Sequence, residues 1–306
     1  MRFLTCPLPL YILLGGAVLA WIAGWFGHIF WFVDLFSHFQ LHFLAGTLIL
    51  SLIAYICRER RTAAACIVFA VCIMAGLITL APPRISGTDC KNTLKLVSFN
   101  VLTPNLEMNQ VVEFLRAEQP DIIALYEINN IWAFALRPLL KDYPYNLVQP
   151  SSDNFGIALY SRVPLTNIKL ISTASWDIPM IRADLGDTLI LATHTLPPAG
   201  KARTGERNAT LQAVEDALAE NPARPAIVMG DWNATPWSSP LRAIIKHTGL
   251  QSARANNWAG TWPSQWQWLG IPIDHIFTRG YACGTTKTGP DLGSDHRPLI
   301  AVLGIN

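Results

Sequence analysis

The feature that most constrains this chain is the near absence of charge from its first 81 residues. The only charged side chains there are Arg2, Asp34, Arg58, Glu59, Arg60 and Arg61. Three long apolar runs occupy the region, over residues 10–32, 39–57 and 63–81. Because crossing a ~30 Å hydrocarbon core takes about 20 apolar residues in a helix, we expect residues 1–81 to form three transmembrane helices.

Taken singly, these runs would also suit a signal peptide or a soluble core. The first run follows Arg2 and would fit a cleaved signal peptide, although the apolar core of such peptides is usually only ~7–15 residues long. Any single run would fit a helix buried in a soluble core. Neither later run has the polar face of a surface helix, so the three runs together favour a membrane region.

The basic residues predict how this region is oriented. Arg58, Arg60 and Arg61 form a basic turn, whereas the turn at Asp34 contains no lysine or arginine. Since positively charged turns stay in the cytoplasm, we expect the basic turn and the N-terminus to be cytoplasmic. Three spans of a cell inner membrane would then place residues after 81 on its periplasmic or extracellular side; Arg84, just beyond the third run, weighs against this orientation.

Residues 82–93 contain two prolines, a glycine and several polar residues, a composition that predicts a short linker before a globular domain over residues 94–306. Cys90 and Cys283 belong to this soluble part. A disulfide between them is one hypothesis, since sequence alone does not bring two distant cysteines together. No cysteine and histidine spacing indicates a zinc site.

Short apolar runs alternate with amphipathic stretches from residue 94 onward. The pattern predicts helices over residues 108–118 and 208–221. It predicts strands over residues 94–101, 121–128, 156–161, 188–195, 226–233, 273–278 and 298–304. Strands mixed with a few helices indicate α/β layers around a buried sheet.

Polar side chains interrupt these apolar strands at or near their ends. They are Asn100, Glu127, His194, Asp231, Asn233, Asp274, Asp295 and His296. One such residue alone would usually be a satisfied polar group of the core, but the whole set indicates a site, because each is costly to bury unless paired or coordinated. Asn, Asp and Glu oxygens suit a hard cation such as Mg²⁺, and His with Asp suits proton transfer.

The motifs around these residues resemble those of the endonuclease/exonuclease/phosphatase family, which includes DNase I-like nucleases, abasic-site endonucleases, sphingomyelinases and inositol-polyphosphate phosphatases. In chain order they are SFNV, LYEI, GIALYSR, THT, GDWNATPWS, IDHIF and GSDHRPL, within residues 94–304. Residues 261–277 also resemble a membrane-attached bacterial branch of that family. The resemblance implies a DNase I-like, four-layer α/β sandwich of two facing sheets, preceded here by the three predicted helices.

The same resemblance implies which residues hold a metal ion. Glu127, helped by Asn100 and Asp295, would bind Mg²⁺, with Mn²⁺ as an alternative cation. Asp231 and Asn233 would hold a second ion if the site uses two, so the number of metals stays open.

The catalytic roles carry over in the same way. Asp231 would orient or deprotonate the attacking water, and Asn233 would contact the phosphate. His296, paired with Asp274, would stabilise the charge that develops on the phosphate, and His194 would act as the acid toward the leaving oxygen. The expected reaction is the hydrolysis of phosphodiester bonds.

The motifs do not identify an acidic partner for His194. Asp153 is a candidate for that role. The assignment of the partner stays open at the level of the sequence.

The substrate is less constrained. Arg203 and Arg207 follow His194 and are candidate phosphate contacts, although a solvated loop would account for them as well. Basic and acidic residues are equal in number after residue 90, so the sequence lacks the basic excess on which duplex binding usually rests. The tryptophans near the motifs would suit base stacking, a lipid interface or ordinary packing.

Three hypotheses follow from these observations. The first is a membrane-anchored endonuclease or exonuclease, which the family favours slightly. The second is a phosphodiesterase or phosphatase of phospholipid or sphingolipid headgroups, which the membrane helices favour. The third, from another class, is an inactive binding module, and the retention of the full motif set argues against it. Nothing in the sequence indicates a protein partner.

Overall fold

The computed structural model describes residues 7–85, 87, 90, 92–173, 175–254 and 258–304. Some predicted features extend beyond this part of the chain: Arg2, linker residues 86, 88, 89 and 91, and domain residues 174, 255–257 and 305–306. The chain divides into two compact units. One comprises residues 1–81 with 236–242, and the other comprises residues 82–235 with 243–306.

The described part of residues 1–81 is helical. Its helices are α1 Pro7–Gly24, α2 Trp31–Ser37, α3 Gln40–Ile56 and α4 Arg60–Thr79. The first predicted span, over residues 10–32, does not continue as one helix, because α1 ends at Gly24 and a turn precedes α2. A Cβ at Gly27 would lie 2.6 Å from Asp34 Oδ1, so the turn brings the backbone too close for a larger residue.

Among these described helices, α4 alone is long and apolar enough to cross a membrane by itself. Helices α2 and α3 meet the same criterion only as a pair, and the pair is bent by 63° at its break. The described apolar part of α1 is shorter. One or two spans are therefore compatible with length and composition, and the three predicted transmembrane helices are not confirmed.

The second unit contains twelve strands among its described residues. They are β1 Thr93–Asn100, β2 Ile122–Tyr126, β3 Tyr145–Gln149, β4 Ile157–Ser161, β5 Thr166–Thr173, β6 Ile178–Leu185, β7 Thr188–His194, β8 Ala226–Asp231, β9 Gln251–Ser252, β10 Asp274–Arg279, β11 Gly284–Thr288 and β12 Leu299–Gly304. The remaining helices among the described residues are α5 Met108–Glu118, α6 Asn130–Ala135, α7 Lys201–Ala219 and α8 Ser239–Thr248, with short 3₁₀ turns at Arg137–Leu139 and Ser264–Trp266.

These strands form two six-stranded sheets. The first has the order β11-β12-β1-β2-β4-β3, and the second has the order β5-β6-β7-β8-β10-β9. Both are mixed, because β1 and β2 are parallel, as are β7 and β8, while the other pairs are antiparallel. Central strands such as β2 and β8 are buried along their whole length, as their apolar sequences predict.

The inner faces of the two sheets share one hydrophobic core. Leu96 and Ile122 of the first sheet belong to the same buried cluster as Ile190 and Ile227 of the second. Outside the first sheet, a separate cluster joins Val97 to Leu115 of α5. The unit is therefore an α/β sandwich of two mixed sheets, which confirms the coarse fold predicted from the sequence.

Several strands at or next to the edges of the sheets were not predicted. Strands β3, β5, β6 and β11 were missed because exposed and polar positions break their apolar pattern; β5, for example, is largely exposed. Helix α7 begins at Lys201, seven residues before the predicted start at Asn208. This change matters for the site, since it places Arg203 and Arg207 on a helix.

The described part of the predicted linker pairs with the α/β unit. Arg84 forms a parallel bridge with Ser252, Gly87 forms one with Cys283, and the Ile85 side chain is buried. Cys90 and Cys283 are joined by a disulfide, as hypothesised. At these positions the segment is fastened to the unit.

Candidate active site

Three predicted site residues lie side by side at one end of the second sheet. Strands β7 and β8 end at His194 and Asp231, and the antiparallel strand β10 begins at Asp274. The register pairs Asp231 with His194 on one side and with Asp274 on the other. We call these three residues the strand-end row. A Cβ at Gly230 would lie 2.3 Å from Thr193 O, which explains the glycine before Asp231.

Asp231 is the centre of the row and is almost fully buried. Its Oδ2 accepts a hydrogen bond from Asn100 Nδ2 at 3.0 Å and lies 3.4 Å from His194 Nε2 and 3.5 Å from His296 Nε2. Burial alone would raise the pKa of this carboxyl group, but the charge of His296 and the hydrogen bond with His194 outweigh it and lower the pKa to about 2. Asp231 is therefore an anion at any physiological pH.

His296 and Asp274 form a buried pair, as predicted. His296 Nδ1 lies 2.9 Å from Asp274 Oδ2. Burial would lower the pKa of the imidazole, yet the negative charges of Asp274 and Asp231 outweigh it and raise the pKa to about 10. Burial also raises the pKa of Asp274. Both shifts keep a proton on the pair, so the Nε2 of His296 is a charged donor.

His194 has an acidic partner that the sequence did not identify. Asp153, the candidate for this role, instead accepts a hydrogen bond from the backbone N–H of Phe155. The partner is Asp231, and the Phe155 ring lies 5.4 Å from the His194 ring. Burial lowers the pKa of His194, but the hydrogen bond with Asp231 and its charge outweigh burial and raise that pKa above its usual value.

Asn100 links the two sheets at the site. From the end of β1 its Nδ2 donates to Glu127 Oε1 at 3.0 Å as well as to Asp231 Oδ2, while its Oδ1 accepts from the backbone N–H of Leu102. Glu127 lies just after β2 with a φ of 65°, a left-handed conformation that is uncommon outside glycine. The amide of Asn100 therefore fixes the relative position of two carboxylates.

Asp295 lies beside His296 in the loop before β12. Its Oδ2 accepts from Trp262 Nε1 at 3.0 Å, whereas its Oδ1 is buried and has no hydrogen-bond partner among the described residues. A buried carboxylate oxygen without a partner is costly. It fits a position where a hard cation supplies the missing charge.

Asn233, two residues after Asp231, also has a φ in the left-handed range, at 43°. Its backbone N–H donates to Asp231 Oδ1 at 3.0 Å, and its Nδ2 donates to Thr195 O at 2.7 Å. The side chain thus holds the turn after β8, and its predicted contact with phosphate stays a prediction.

The two predicted arginines differ from each other. Arg203 is exposed on α7, but Arg207 is fully buried on the same helix, and its Nε donates to Asn208 Oδ1. The Arg207 side chain therefore packs in the interior and does not reach solvent in this structure.

Several supporting residues were missed at the sequence level. Thr103 donates from its backbone N–H to Glu127 Oε2 at 3.1 Å. Ser294 donates from Oγ to Asn100 O at 2.7 Å and accepts from the His296 N–H at 3.0 Å. Ser294 lies in the GSDHRPL motif directly before Asp295, and this position could have indicated its supporting role. No motif marks Thr103.

A buried cation behind the row was also missed. Arg254 donates to the backbone oxygens of Asp274 and Ala259 at 3.5 and 2.5 Å. Burial lowers the pKa of Arg254 to about 10, with the charge of Asp274 acting in the opposite direction. Neighbouring His275 is neutral, because burial and then the charge of Arg254 lower its pKa to about 3. The sequence around Arg254, SARAN, carries no motif.

The described site residues differ in how well their donor atoms suit a divalent metal. Asp231, Asp274 and His296 offer ligand atoms within 4.8 Å of one another. However, both nitrogens of His296 face carboxylates and its pKa favours the protonated form, whereas a metal requires a free lone pair. The carboxylate oxygens of Glu127 and Asp295 have the chemistry that a hard cation prefers, and Asn100 donates a hydrogen bond to Glu127. Together, the fold and site define an α/β-sandwich hydrolase with a buried carboxylate–imidazole centre.

Comparison with known proteins agrees with this class. The model of the Endonuclease/Exonuclease/phosphatase family matches residues 97–296, which include every motif residue from Asn100 to His296. The chain belongs to this family, whose members are metal-dependent phosphoric ester hydrolases. The family and enzyme class predicted from the motifs are thus confirmed.

Individual relatives are more distant. A UPF0294 protein of Vibrio campbellii is 30% identical over 104 residues, which cover 34% of this chain and 36% of that protein. The chain thus spans about a third of the length of the curated relatives it matches.

Two solved structures illustrate the range of this fold. A 3'-5' exonuclease from Neisseria meningitidis has a TM-score of 0.56 at 18% identity, covering 69% of this chain and 100% of its own. The sphingomyelinase C of Streptomyces griseocarneus has a TM-score of 0.54 at 15% identity, covering 70% and 100%. At these identities the likeness establishes the fold alone.

Proposed function

We propose that the chain is a membrane-anchored, Mg²⁺-dependent phosphodiesterase whose centre is the strand-end row. The observation that carries this proposal is the environment of Asp231. Its buried carboxylate faces two imidazoles at 3.4 and 3.5 Å and is joined through Asn100 to the oxygen donors of Glu127. A fixed anion between donors of positive charge suits the attack of water on an anionic phosphorus centre.

Asp231 orients the attacking water. Because its pKa is about 2, the carboxylate is a weak base in the resting site. It therefore first holds the water by accepting a hydrogen bond, and any proton transfer follows. Mg²⁺, when bound by Glu127 and Asp295, would supply a Lewis acid that lowers the charge on the phosphate. Mn²⁺ is the alternative cation for the same oxygen donors.

His296 and His194 act on the phosphate and on the leaving group. The charged Nε2 of His296, held by Asp274, donates to a non-bridging phosphate oxygen and stabilises the charge that develops there. His194 keeps its proton to higher pH than an ordinary histidine and gives it to the leaving oxygen. Arg203 is an additional phosphate contact in this proposal.

The attachment to a membrane rests on the N-terminal helices. Helix α4 is sufficiently long and apolar to span a bilayer, and the arginines at the turn before it favour a cytoplasmic turn. The Cys90–Cys283 disulfide supports an oxidising compartment for the catalytic unit, since disulfides are rare in the cytosol. A periplasmic or extracellular location at the cell inner membrane fits both observations.

Two substrate classes are candidates. Hydrolysis of DNA or RNA is the first, and it is the activity that the family favours slightly. Hydrolysis of phospholipid or sphingolipid headgroups is the second, and the specific observation in its favour is the apolar helix α4, which would keep the enzyme beside lipid. Both classes contain the phosphodiester that the row would cleave.

The test uses the full chain purified in detergent and supplied with Mg²⁺. Plasmid DNA, single-stranded DNA, and phosphatidylcholine vesicles containing headgroup-labelled phospholipid or sphingomyelin are assayed in parallel. Cleavage of either class by the native chain, lost in Asp231→Asn and kept in Asp187→Asn, supports the proposal. Asp187 is a suitable control because it is exposed in the β6–β7 turn, at the end of the sheet opposite His194. Cleavage that persists in Asp231→Asn would contradict it.

A further inference from the structure

A compact loop before β10 exposes large aromatic side chains. We call residues 262–269 the tryptophan loop. Its base is closed by backbone hydrogen bonds in both directions between Trp262 and Ile271, and a 3₁₀ turn covers Ser264–Trp266. A Cβ at Gly260 would lie 2.3 Å from the Gly270 backbone, so the two sides of the base approach as closely as only glycine permits. Backbone hydrogen bonds and close packing therefore give the loop a defined conformation.

The tip of this loop exposes large apolar side chains beside two glutamines, Gln265 and Gln267. Trp266 and Trp268 are 62% and 81% exposed, and Leu269 is 39% exposed. Large aromatic side chains are normally buried to a high degree in soluble proteins. Contiguous exposed apolar groups instead mark surfaces that contact a partner or a membrane.

The loop also lacks charge. No aspartate, glutamate, lysine or arginine occurs from residue 255 to residue 273. A surface that binds nucleic acid combines aromatic rings with basic side chains along the phosphate backbone. Tryptophan without accompanying charge is instead typical of the interfacial zone of a bilayer, where the ring is apolar and the indole N–H stays near water.

The base of the loop is joined to the metal-binding side of the site. Trp262 Nε1 donates to Asp295 Oδ2 at 3.0 Å, and the backbone N–H of Ser264 donates to Asp295 O at 2.8 Å. Ser264 Oγ donates to Ser294 O, and Arg297 Nε donates to Ser264 O. Whatever the tip binds is therefore held in a fixed relation to Asp295 and His296.

We infer that the tryptophan loop docks on the surface of a lipid bilayer and presents the catalytic centre to phospholipid headgroups. The inference rests on the proposed phosphodiesterase function and narrows its substrate class to lipid at an interface. The occupant is lipid because the tip is uncharged and its large exposed side chains are apolar, and because the same chain carries α4, which suits a bilayer. Tryptophan at the interface anchors by burying its ring while its N–H remains hydrated.

Binding is tested on the full chain reconstituted into phosphatidylcholine vesicles. Trp268→Cys carries an environment-sensitive fluorophore, in a background without Cys6, Cys57, Cys66 and Cys72, and Asp187→Cys carries the same fluorophore at the opposite end of the sheet. We expect a blue shift and quenching by brominated lipid for the label at 268 and neither for the label at 187. Equal responses at the two positions would overturn the inference, as would a response at 268 to single-stranded DNA in place of lipid.

Activity provides the second readout. In Trp266→Ala/Trp268→Ala we expect hydrolysis of headgroup-labelled phospholipid in vesicles to fall at least about tenfold, because each ring loses its burial in the interface. Turnover of soluble bis(p-nitrophenyl) phosphate should stay unchanged, since neither side chain contacts the strand-end row. Equal losses on both substrates would mean that the loop only supports the fold. A native chain that turns over the soluble diester but never the lipid would overturn the docking inference and leave the phosphodiesterase proposal intact.

Discussion

The strand-end row and the tryptophan loop show opposite relations to solvent. In the row, His194, Asp231 and Asp274 are buried, and the Asp231 oxygens face donors at fixed distances. In the loop, Trp266 and Trp268 are mostly exposed and uncharged. The row fixes the positions of its polar groups through strand register. The loop exposes uncharged aromatic side chains, and it is where we propose that the protein contacts a lipid surface.

The largest effect is expected from neutralising the centre of the row. Asp231→Asn keeps the shape but removes the anion that faces both imidazoles, so kcat on bis(p-nitrophenyl) phosphate should fall about 10³-fold. The exposed Asp187→Asn, at the other end of the same sheet, should have no effect. Circular dichroism and thermal unfolding check that both variants are folded. If Asp231→Asn retained most of its turnover, the row would not be the catalytic centre.

The second prediction concerns the charge on His296. Its raised pKa means that the protonated form is present below about pH 10 and is lost as the pH rises through that value. Asp274→Asn removes the nearest negative charge, so the pKa of His296 falls. We expect kcat to drop about 100-fold and the alkaline limb of the pH profile of kcat/KM to move to lower pH. A limb that does not move would rule out this pairing as the source of that charge.

The third prediction tests the bridge between the two carboxylates. Asn100→Ala removes the donor shared by Glu127 and Asp231, leaving two buried acids without it. Activity should fall about tenfold to a hundredfold, with a comparable loss of Mg²⁺ affinity in a titration of turnover against the metal. A loss of turnover with unchanged Mg²⁺ dependence would separate Asn100 from the metal site.

The smallest effect is expected where the base of the tryptophan loop contacts Asp295. Trp262→Phe keeps an aromatic ring but removes the N–H that donates to Asp295 Oδ2. One lost hydrogen bond to a carboxylate should reduce turnover of the soluble diester by about fivefold. Trp266→Phe, farther along the loop, serves as the matched control with no change. Equal effects of the two variants would break the distinction drawn between the base and the tip of the loop.

The candidate site residues stand out in the sequence more than their surroundings for a physical reason. Asn100, His194 and Asp231 end buried apolar strands, and polar groups in such places stand out against the pattern. The structure brings these three together as expected. By contrast, the partner of His194 depends on register between β7 and β8, which the sequence does not encode locally, and Asp231 was not identified as that partner.

Arg207 shows where a prediction from the sequence pattern fails. A basic residue after a catalytic motif resembles a phosphate contact, but helix α7 starts early enough to turn Arg207 into the interior. Arg254 is another buried cation, and no periodicity marks it. Both cases depend on tertiary packing, which decides whether a charged side chain meets substrate or backbone oxygens.

The most direct test of the central claim is hydrolysis of bis(p-nitrophenyl) phosphate by the full chain in detergent. The assay compares Mg²⁺ with EDTA, and the native chain with His296→Ala. We expect turnover that requires the metal, is restored when Mg²⁺ is returned, and is lost in the variant. Turnover that survives EDTA, or that His296→Ala leaves intact in a folded chain, would contradict a metal-dependent phosphodiesterase centre at the strand-end row.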